Sequence, residues 1–248
     1  MGNSVWQTRW TAIVNRLRIV AGEPDERSLI AALSLATQPQ VLAFVNAHAM
    51  NCGAADSEFF EALVSADVLL RDGSGMAMLY RHLRLDAGKN MNGTDLIPRL
   101  LAAFRGRNVA FWGTREPHLA LAAARSEREF GVHIVSRQDG FQEADHYLKL
   151  ARDSSLDLIV LGMGMPKQEQ LAQAIRMQGH GTPLIVCGGA ILDFLGGKVE
   201  RAPMIMRNAG LEWLYRLVRE PRRLFQRYVV GNPAFVLRLM RWTLQKPL

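Results

Sequence analysis

Asp157-Leu158-Ile159-Val160-Leu161-Gly162-Met163-Gly164-Met165-Pro166-Lys167-Gln168-Glu169 passes from an apolar run through two glycines into a polar segment. Leu158 to Leu161 are apolar without alternation, as in a strand covered on both faces. Two glycines end the run, and Pro166 is placed as a first helical residue. The pattern from Pro166 to Met177 is helical. The unit is therefore strand, glycine turn, helix.

Outward from this stretch the same unit recurs. Apolar or β-branched runs occupy Val41–Val45, Asp67–Leu70, Asn108–Trp112, Val132–Val135 and Pro183–Cys187. Helical patterns lie between them, over Ser57–Ser65, Thr94–Phe104 and Glu116–Phe130. This alternation predicts an α/β domain with a largely parallel sheet. Gly113-Thr114 and Gly188-Gly189 follow two more of the runs. Ligands of open α/β sheets bind beyond the carboxyl ends of the strands, and glycines there let backbone N–H groups approach a phosphate. The plainer reading of each is an ordinary turn. None matches GxGxxG with an acidic residue about 20 positions on, so a nicotinamide-dependent oxidoreductase is disfavoured.

The 248 residues are 49% apolar, enough for a folded core. Cys52 and Cys187 are too few for a disulfide framework; Cys187 ends an apolar run and reads as a buried thiol suited to a reducing cytosol. No signal peptide is expected, and no uncharged apolar stretch reaches the ~18 residues of a membrane span. No His/Cys/Asp/Glu cluster has metal-ligand spacing, so no metal is expected.

The charge is uneven. Ten Lys/Arg and two Asp/Glu lie from Arg201 to Leu248, whereas the first 200 residues are nearly neutral. Apolar residues recur there at helical spacing (Leu211, Leu214, Tyr215 and Val218, then Leu224, Phe225, Tyr228 and Val229), with arginines around them. Glu220-Pro221 and Gly231-Asn232-Pro233 interrupt the pattern. The chain thus divides into a domain over 1–200 and a basic amphipathic appendage over 201–248. The appendage is read as a membrane-surface element, because interleaved Leu, Phe, Tyr and Trp supply apolar area to bury. Packing on the core and nucleic-acid binding are the alternatives.

Several polar residues stand at strand ends or helix starts. Asp72, in Asp72-Gly73-Ser74-Gly75, is either a proton acceptor in a cleft or a helix cap. Asn46 and His48 follow another strand. Thr94 is read as a helix N-cap. Lys167 opens a helix where positive charge is locally unfavourable, which calls for a partner such as a phosphate. Asp193 either binds a ribose or caps a helix.

Taken in order, these segments resemble one family. They are Asn46-Ala47-His48, Asp72-Gly73-Ser74-Gly75, Gly93-Thr94-Asp95-Leu96, Gly162 through Glu169, Gly188-Gly189-Ala190 with Asp193-Phe194, Arg201-Ala202-Pro203, Gly210 through Arg216, Glu220-Pro221-Arg222-Arg223, Arg227-Tyr228 and Gly231-Asn232-Pro233. The set is similar to the WecG/TagA/CpsF glycosyltransferases of bacterial polysaccharide and teichoic acid synthesis. The resemblance implies a Rossmann-like core with helices on both faces and an appendage completing the active site. It implies inverting transfer from a UDP-sugar to a polyprenyl-diphosphate-linked sugar, without metal or other cofactor, on the cytoplasmic face of the inner membrane.

By position, Asp72 matches the general base, and Asn46 and Gln168 match pocket-lining polar residues. Arg216, Arg222 and Arg223 match arginines that approach the nucleotide diphosphate. Asn92, Thr94, Asp95, Lys167, Gly113, Gly188, Gly189, Asp193 and Arg201 complete the expected substrate-binding set. Without a metal, the arginines and the Gly188-Gly189 backbone are expected to stabilise departing UDP.

This sequence departs from members using N-acetylmannosamine at two places. They commonly carry an arginine where Asn90 stands, and a small polar residue where Phe44 stands. The Asn90–Asp95 pattern looks more like members that add a second hexose, as in xanthan-type exopolysaccharide assembly. Glucose is the expected donor sugar, with N-acetylmannosamine or its uronic acid as the alternative. Expected partners are the UDP-sugar, an undecaprenyl-diphosphate-linked monosaccharide and an anionic membrane; nucleic acid is not expected, and a second copy of the chain is admissible.

Overall fold

The computed structural model describes residues 4–181 and 184–244, with the side chains of Asn208 and Leu244 left aside. The predicted strand start at Pro183 and the end of the appendage, 245–248, lie outside the described residues.

Seven strands form one sheet. They are β1 (Leu17–Arg18), β2 (Gln40–Val45), β3 (Val68–Arg71), β4 (Asn108–Gly113), β5 (His133–Gln138), β6 (Leu158–Gly162) and β7 (Leu184–Cys187). Their order is β1-β3-β2-β7-β6-β4-β5, and every pairing is parallel. The chain is thus an α/β protein of the expected kind. Side chains alternate between two apolar layers. Val41, Ala43 and Val45 face one, and Leu42 and Phe44 face the other; Ile159 and Leu161 oppose Leu158 and Val160 in the same way.

One layer is covered by α1 (Val5–Arg16), α3 (Ala47–Ala55), α4 (Ser57–Ser65), α5 (Gly73–His82), α8 (Ala144–Asp153) and α9 (Lys167–Met177). The other is covered by α2 (Glu23–Ser34), α6 (Gly93–Ala103), α7 (His118–Phe130) and α10 (Ile191–Leu195). Strands β2 and β7 are neighbours, yet the helices that follow them, α3 and α10, lie on opposite faces. Such a divergence opens a crevice at the carboxyl edge of the sheet, the usual ligand position in open α/β folds.

After residue 200 the chain forms α11 (Met204–Asn208), α12 (Glu212–Arg219), α13 (Pro221–Phe225), a π-helical turn at Gln226–Val230, and α14 (Gly231–Leu244). The expected break at Gly231-Asn232-Pro233 is instead the start of α14. Proline is tolerated there because the first turn of a helix needs no N–H donor. Helix α14 returns to the body. Its Phe235 and Trp242 pack around Trp10 of α1, with ring centroids 5.4 and 5.8 Å away. Helix α12 has no buried residue at all.

Candidate active site

Strands β2 and β3 deliver Asn46 and Asp72 side by side. Asn46 caps α3 by accepting from the Ala49 N–H at 3.1 Å, which leaves its amide to donate to Asp72 Oδ2 at 3.4 Å. Asp72 is the N-cap residue of α5, but its side chain makes no capping bond. The first N–H of that helix, on Gly73, is instead taken by Asn90 Oδ1 at 2.8 Å. The Asp72 carboxylate is therefore not spent on its own helix. Burial pushes its pKa above the ordinary carboxylate value, against the Asn46 hydrogen bond and the charges of Arg227, Arg216 and Arg71. A carboxylate desolvated in this way is a stronger base toward a hydroxyl.

The turn before α12 closes over Asp72. Ser74 Oγ donates to the Gly210 carbonyl at 3.3 Å, which seats this turn on the start of α5. Glu212 then opens α12 close by. Its carboxyl is held above its usual range by burial, with Asp72 and Asp95 raising it further and Arg201 and Arg216 opposing. The Nε atoms of Arg201, Arg207, Arg216 and Arg227 are all buried without a hydrogen-bond partner. Buried donors of this kind are costly unless a ligand satisfies them. Four cationic side chains share this condition at one cleft, which makes the cleft suited to an anion.

Two further groups frame the crevice. At the start of α6, Asn92 caps the helix and donates to Asp95, whose carboxylate pairs with Arg201 at 2.5 Å. Burial opposes ionisation of Asp95, but the hydrogen bonds from Arg201 and Asn92 outweigh it and hold the pKa below its ordinary value. On the β4 and β7 side, Asp193 accepts from Thr114 Oγ1 at 2.5 Å and pairs with Lys198 at 3.0 Å and Arg223 at 3.4 Å. There too burial is outweighed, and Asp193 stays below its ordinary value. Thr114 has φ of 44°, a strained conformation for a β-branched residue, and the Asp193 bond pins it. Arg216 lies over the Phe194 ring, 5.5 Å from its centroid, and so joins this group to Asp72.

Several expected contacts are redirected. Lys167 turns away from the crevice: its ammonium donates to the Gly140 and Gln142 carbonyls at 3.0 and 2.7 Å and lies over Tyr147. Those carbonyls, not a phosphate, answer its charge. Gln168 does not line an open pocket. It is 1% exposed, and both ends of its amide are engaged inside the protein. Nor are the Gly188 and Gly189 N–H groups free for a phosphate, since they donate to the Leu161 carbonyl and to Gln168 Oε1. Gly113 serves packing, because a Cβ there would lie 2.4 Å from the Gly162 carbonyl oxygen. Thr94 is not the cap of α6; Asn92 is, two residues earlier. Arg222 is exposed, whereas Arg223 is tied to Asp193 and Glu220. His48 is pushed down to about 4 by burial and then by Arg227, so it is neutral near pH 7.

Arg227 was not singled out by sequence reasoning as an active-site residue. Its charge reaches Asp72, His48, Cys52 and Glu169 alike. Only its place in the Arg227-Tyr228 motif marked it. Glu212 was marked only by its place in the Gly210–Arg216 segment, and Arg207 by nothing beyond the basic charge of the appendage. Among the described residues, no three His, Cys, Asp or Glu side chains form a group that could hold a metal ion.

The fold and cleft thus define an α/β protein with a polar crevice, a desolvated carboxylate in it and arginines from a C-terminal segment beside that carboxylate. The model of the WecG/TagA/CpsF glycosyl transferase family matches residues 20–247, and the chain belongs to that family. It is accordingly a glycosyltransferase, of a family that takes a sugar donor and a lipid-linked acceptor.

Proposed function

We propose that the protein transfers a hexose, glucose by preference, from a UDP-sugar to an undecaprenyl-diphosphate-linked monosaccharide in exopolysaccharide synthesis. The observation that carries this reading is the Asp72 carboxylate, uncommitted to its helix and facing Arg216 and Arg227. In the proposed step the acceptor hydroxyl oxygen attacks the anomeric carbon and its proton passes to Asp72. The bond from that carbon to the β-phosphate oxygen breaks, and its electron pair leaves with UDP. Single displacement inverts the anomeric centre. Arg216 and Arg227 neutralise the departing diphosphate in place of a metal, since guanidinium binds phosphate oxygens in pairs.

Two residues favour glucose over N-acetylmannosamine or its uronic acid. Phe44 fills the space beside Gly93 with an apolar ring, its carbons 3.6 and 3.7 Å from where a Gly93 Cβ would lie. Asn90, spent on capping α5, offers no cation to a uronate. An anionic membrane on the cytoplasmic face is the proposed platform. No helix among the described residues is long and apolar enough to cross a membrane, but Ile205 and Val218 are 84% and 72% exposed among the arginines of α11 and α12. Each basic residue held at such a surface contributes roughly 1 kcal/mol.

The test is an assay of purified protein with lipid-diphosphate-linked glucose or N-acetylglucosamine and a panel of UDP-sugars. Transfer from UDP-glucose is expected. Transfer only from an N-acetylmannosamine donor would reassign the sugar, and no transfer from any donor would remove the reading. Activity that EDTA abolishes and a divalent ion restores would refute the metal-free step.

A further inference from the structure

Helix α3 has two asparagines that bond outside it. Asn46, at its N-cap, donates to Asp72. Asn51 stands five residues on, about 7.5 Å along the axis at the usual helical rise. It donates from Nδ2 to the Gly231 carbonyl at 2.7 Å and accepts from Arg238 Nη1 at 2.6 Å. A guanidinium only donates, so the atom facing Arg238 must be the amide oxygen. That turns the amide nitrogen toward Gly231, whose carbonyl only accepts. The Asn51 amide thus has one orientation, and neither bond survives its reversal.

Gly231 is where the π-helical turn at Gln226–Val230 passes into α14. Its N–H donates back to the Gln226 carbonyl, which closes the wide turn. Its carbonyl is the group that Asn51 holds, so the turn is pinned at its end from α3. Within the turn, Tyr228 is buried with its ring against Trp213, centroids 5.9 Å apart, and Arg227 lies 5.4 Å from the Tyr228 centroid. Arg227 Nε is buried with no hydrogen-bond partner. No bond at that atom sets its direction, so the backbone of the turn does. Its charge is felt at Asp72 and at His48, which stands three residues before Asn51 on α3.

We propose that Asn51 is a positioning residue for Arg227: by holding the Gly231 carbonyl it fixes the π-helical turn and keeps Arg227 turned toward Asp72. This rests on the reading that the crevice takes a nucleotide diphosphate and that Arg227 neutralises it. Helix α3 then sets the base and the cation against one another, Asp72 through Asn46 and Arg227 through Asn51. π-Helical winding is rare and occurs mostly as single turns, so a tie at its end has something to hold. Without the Asn51 amide the turn is released and Arg227 shifts from the crevice. Helix α14 itself stays seated, because Phe235 and Trp242 still pack on Trp10.

The experiment is a double-mutant cycle of Asn51→Leu and Arg227→Ala, read by UDP affinity in calorimetry and by the His48 titration midpoint in NMR. Leucine is close to asparagine in size and makes neither bond. Asn51→Leu should weaken UDP about tenfold, and the double variant should bind no more weakly than Arg227→Ala alone, since residues acting through one another are not additive. The His48 midpoint, about 4 in wild type, should rise in Arg227→Ala and in Asn51→Leu, and no further in the double variant. A merely structural role gives the other sign, because leucine beside His48 makes its surroundings more apolar and lowers the midpoint. UDP affinity unchanged in Asn51→Leu, losses that add in the double variant, or a His48 midpoint unmoved or lowered in Asn51→Leu would overturn the proposal. If Asn51→Leu does not fold, Asn51→Asp takes its place, since it keeps the Arg238 contact and cannot donate to Gly231. A loss of UDP affinity in Asn51→Asp that persists in full beside Arg227→Ala comes from its added charge alone and overturns the proposal; a loss that disappears there supports it. No UDP binding by wild type would sink the nucleotide reading, and the His48 midpoints would still decide whether Asn51 places Arg227.

Discussion

Helices α12 and α14 have similar compositions and opposite fates. Both mix arginine with Leu, Val and Trp, and both lie in the basic last fifth of the chain. Helix α14 buries Phe235, Leu239 and Trp242 against α1 and α3, and Asn51 of α3 accepts from Arg238 at 2.6 Å. Helix α12 buries nothing fully, and its Val218 is open to solvent. The difference is made by the surface opposite, not by the helices. Trp10 and Met50 offer α14 an apolar seat, whereas α12 spans the mouth of a crevice lined by charge. An amphipathic stripe specifies that a helix will seek an apolar partner; it does not specify which one. Here one helix anchors the segment and the other is free to work.

That division can be broken in five places. The largest effect is expected in the crevice. Asp72→Asn should lower kcat by about 10²–10⁴-fold, the range of a lost general base, while leaving UDP affinity near wild type. Calorimetric UDP binding beside steady-state kinetics checks this, and near-normal turnover removes Asp72 as the base. The sign of the pH dependence follows: Asp72 acts ionised and burial raises its pKa. Activity should therefore fall with decreasing pH at a midpoint above the ordinary carboxylate value, and the acidic limb should vanish in Asp72→Asn.

Next comes the working surface. Arg216→Ala and Arg227→Ala should each lower kcat/KM by about 10²-fold on a soluble acceptor, well beyond the small loss of thermal stability expected from their contacts with the Phe194 and Tyr228 rings, because they remove leaving-group stabilisation. A loss of Tm in step with activity would make them structural instead. The anchor should behave in the reverse manner. Trp242→Ala should destabilise the protein by about 3–5 kcal/mol in denaturant unfolding, the usual range for a buried tryptophan. A small effect there would mean that α14 is as loosely held as α12.

The surface predictions are smaller. Ile205→Ser with Val218→Ser should leave stability unchanged and weaken binding to anionic vesicles by about tenfold or more, from lost apolar burial. Equal vesicle binding would take α11 and α12 off the membrane. Arg222→Ala should be the mildest. A few-fold loss on vesicles, and none on a soluble acceptor, is what an exposed basic residue contributes. A large loss of turnover would restore Arg222 to the site.

The expected elements were mostly found within a residue or two. Ser57–Ser65 matches α4 residue for residue, and the runs at 41–45, 108–112 and 157–161 are β2, β4 and β6. Strand β1 was missed because its two residues, Leu17 and Arg18, are too few to show a period. Asn46 and Asp72 were readable from the sequence as polar residues at strand ends, where topology leaves few directions to face, and Asp193 as a polar residue of α10 soon after β7. Lys167 and Gln168 were misplaced because the start of α9 sets the direction of each side chain by helix rotation. Arg222 and Arg227 differ in the same way. The turn at Gln226–Val230 is π-helical, and its wider winding brings Arg227 inward.

Periodicity and charge are local and additive, so the α/β alternation, the doubly covered strands and the basic end were legible along the chain. It also carried the ordered motifs of the family. Which polar groups meet depends on how distant segments pack. The Asp95–Arg201 and Asp193–Thr114 pairs join residues 106 and 79 positions apart. Whether a glycine N–H is open to a ligand or already taken depends on a side chain 21 residues earlier, as at Gly189 and Gln168. Such bonds form because burial leaves each polar group a short choice of neighbours, and that choice exists only once the chain has packed.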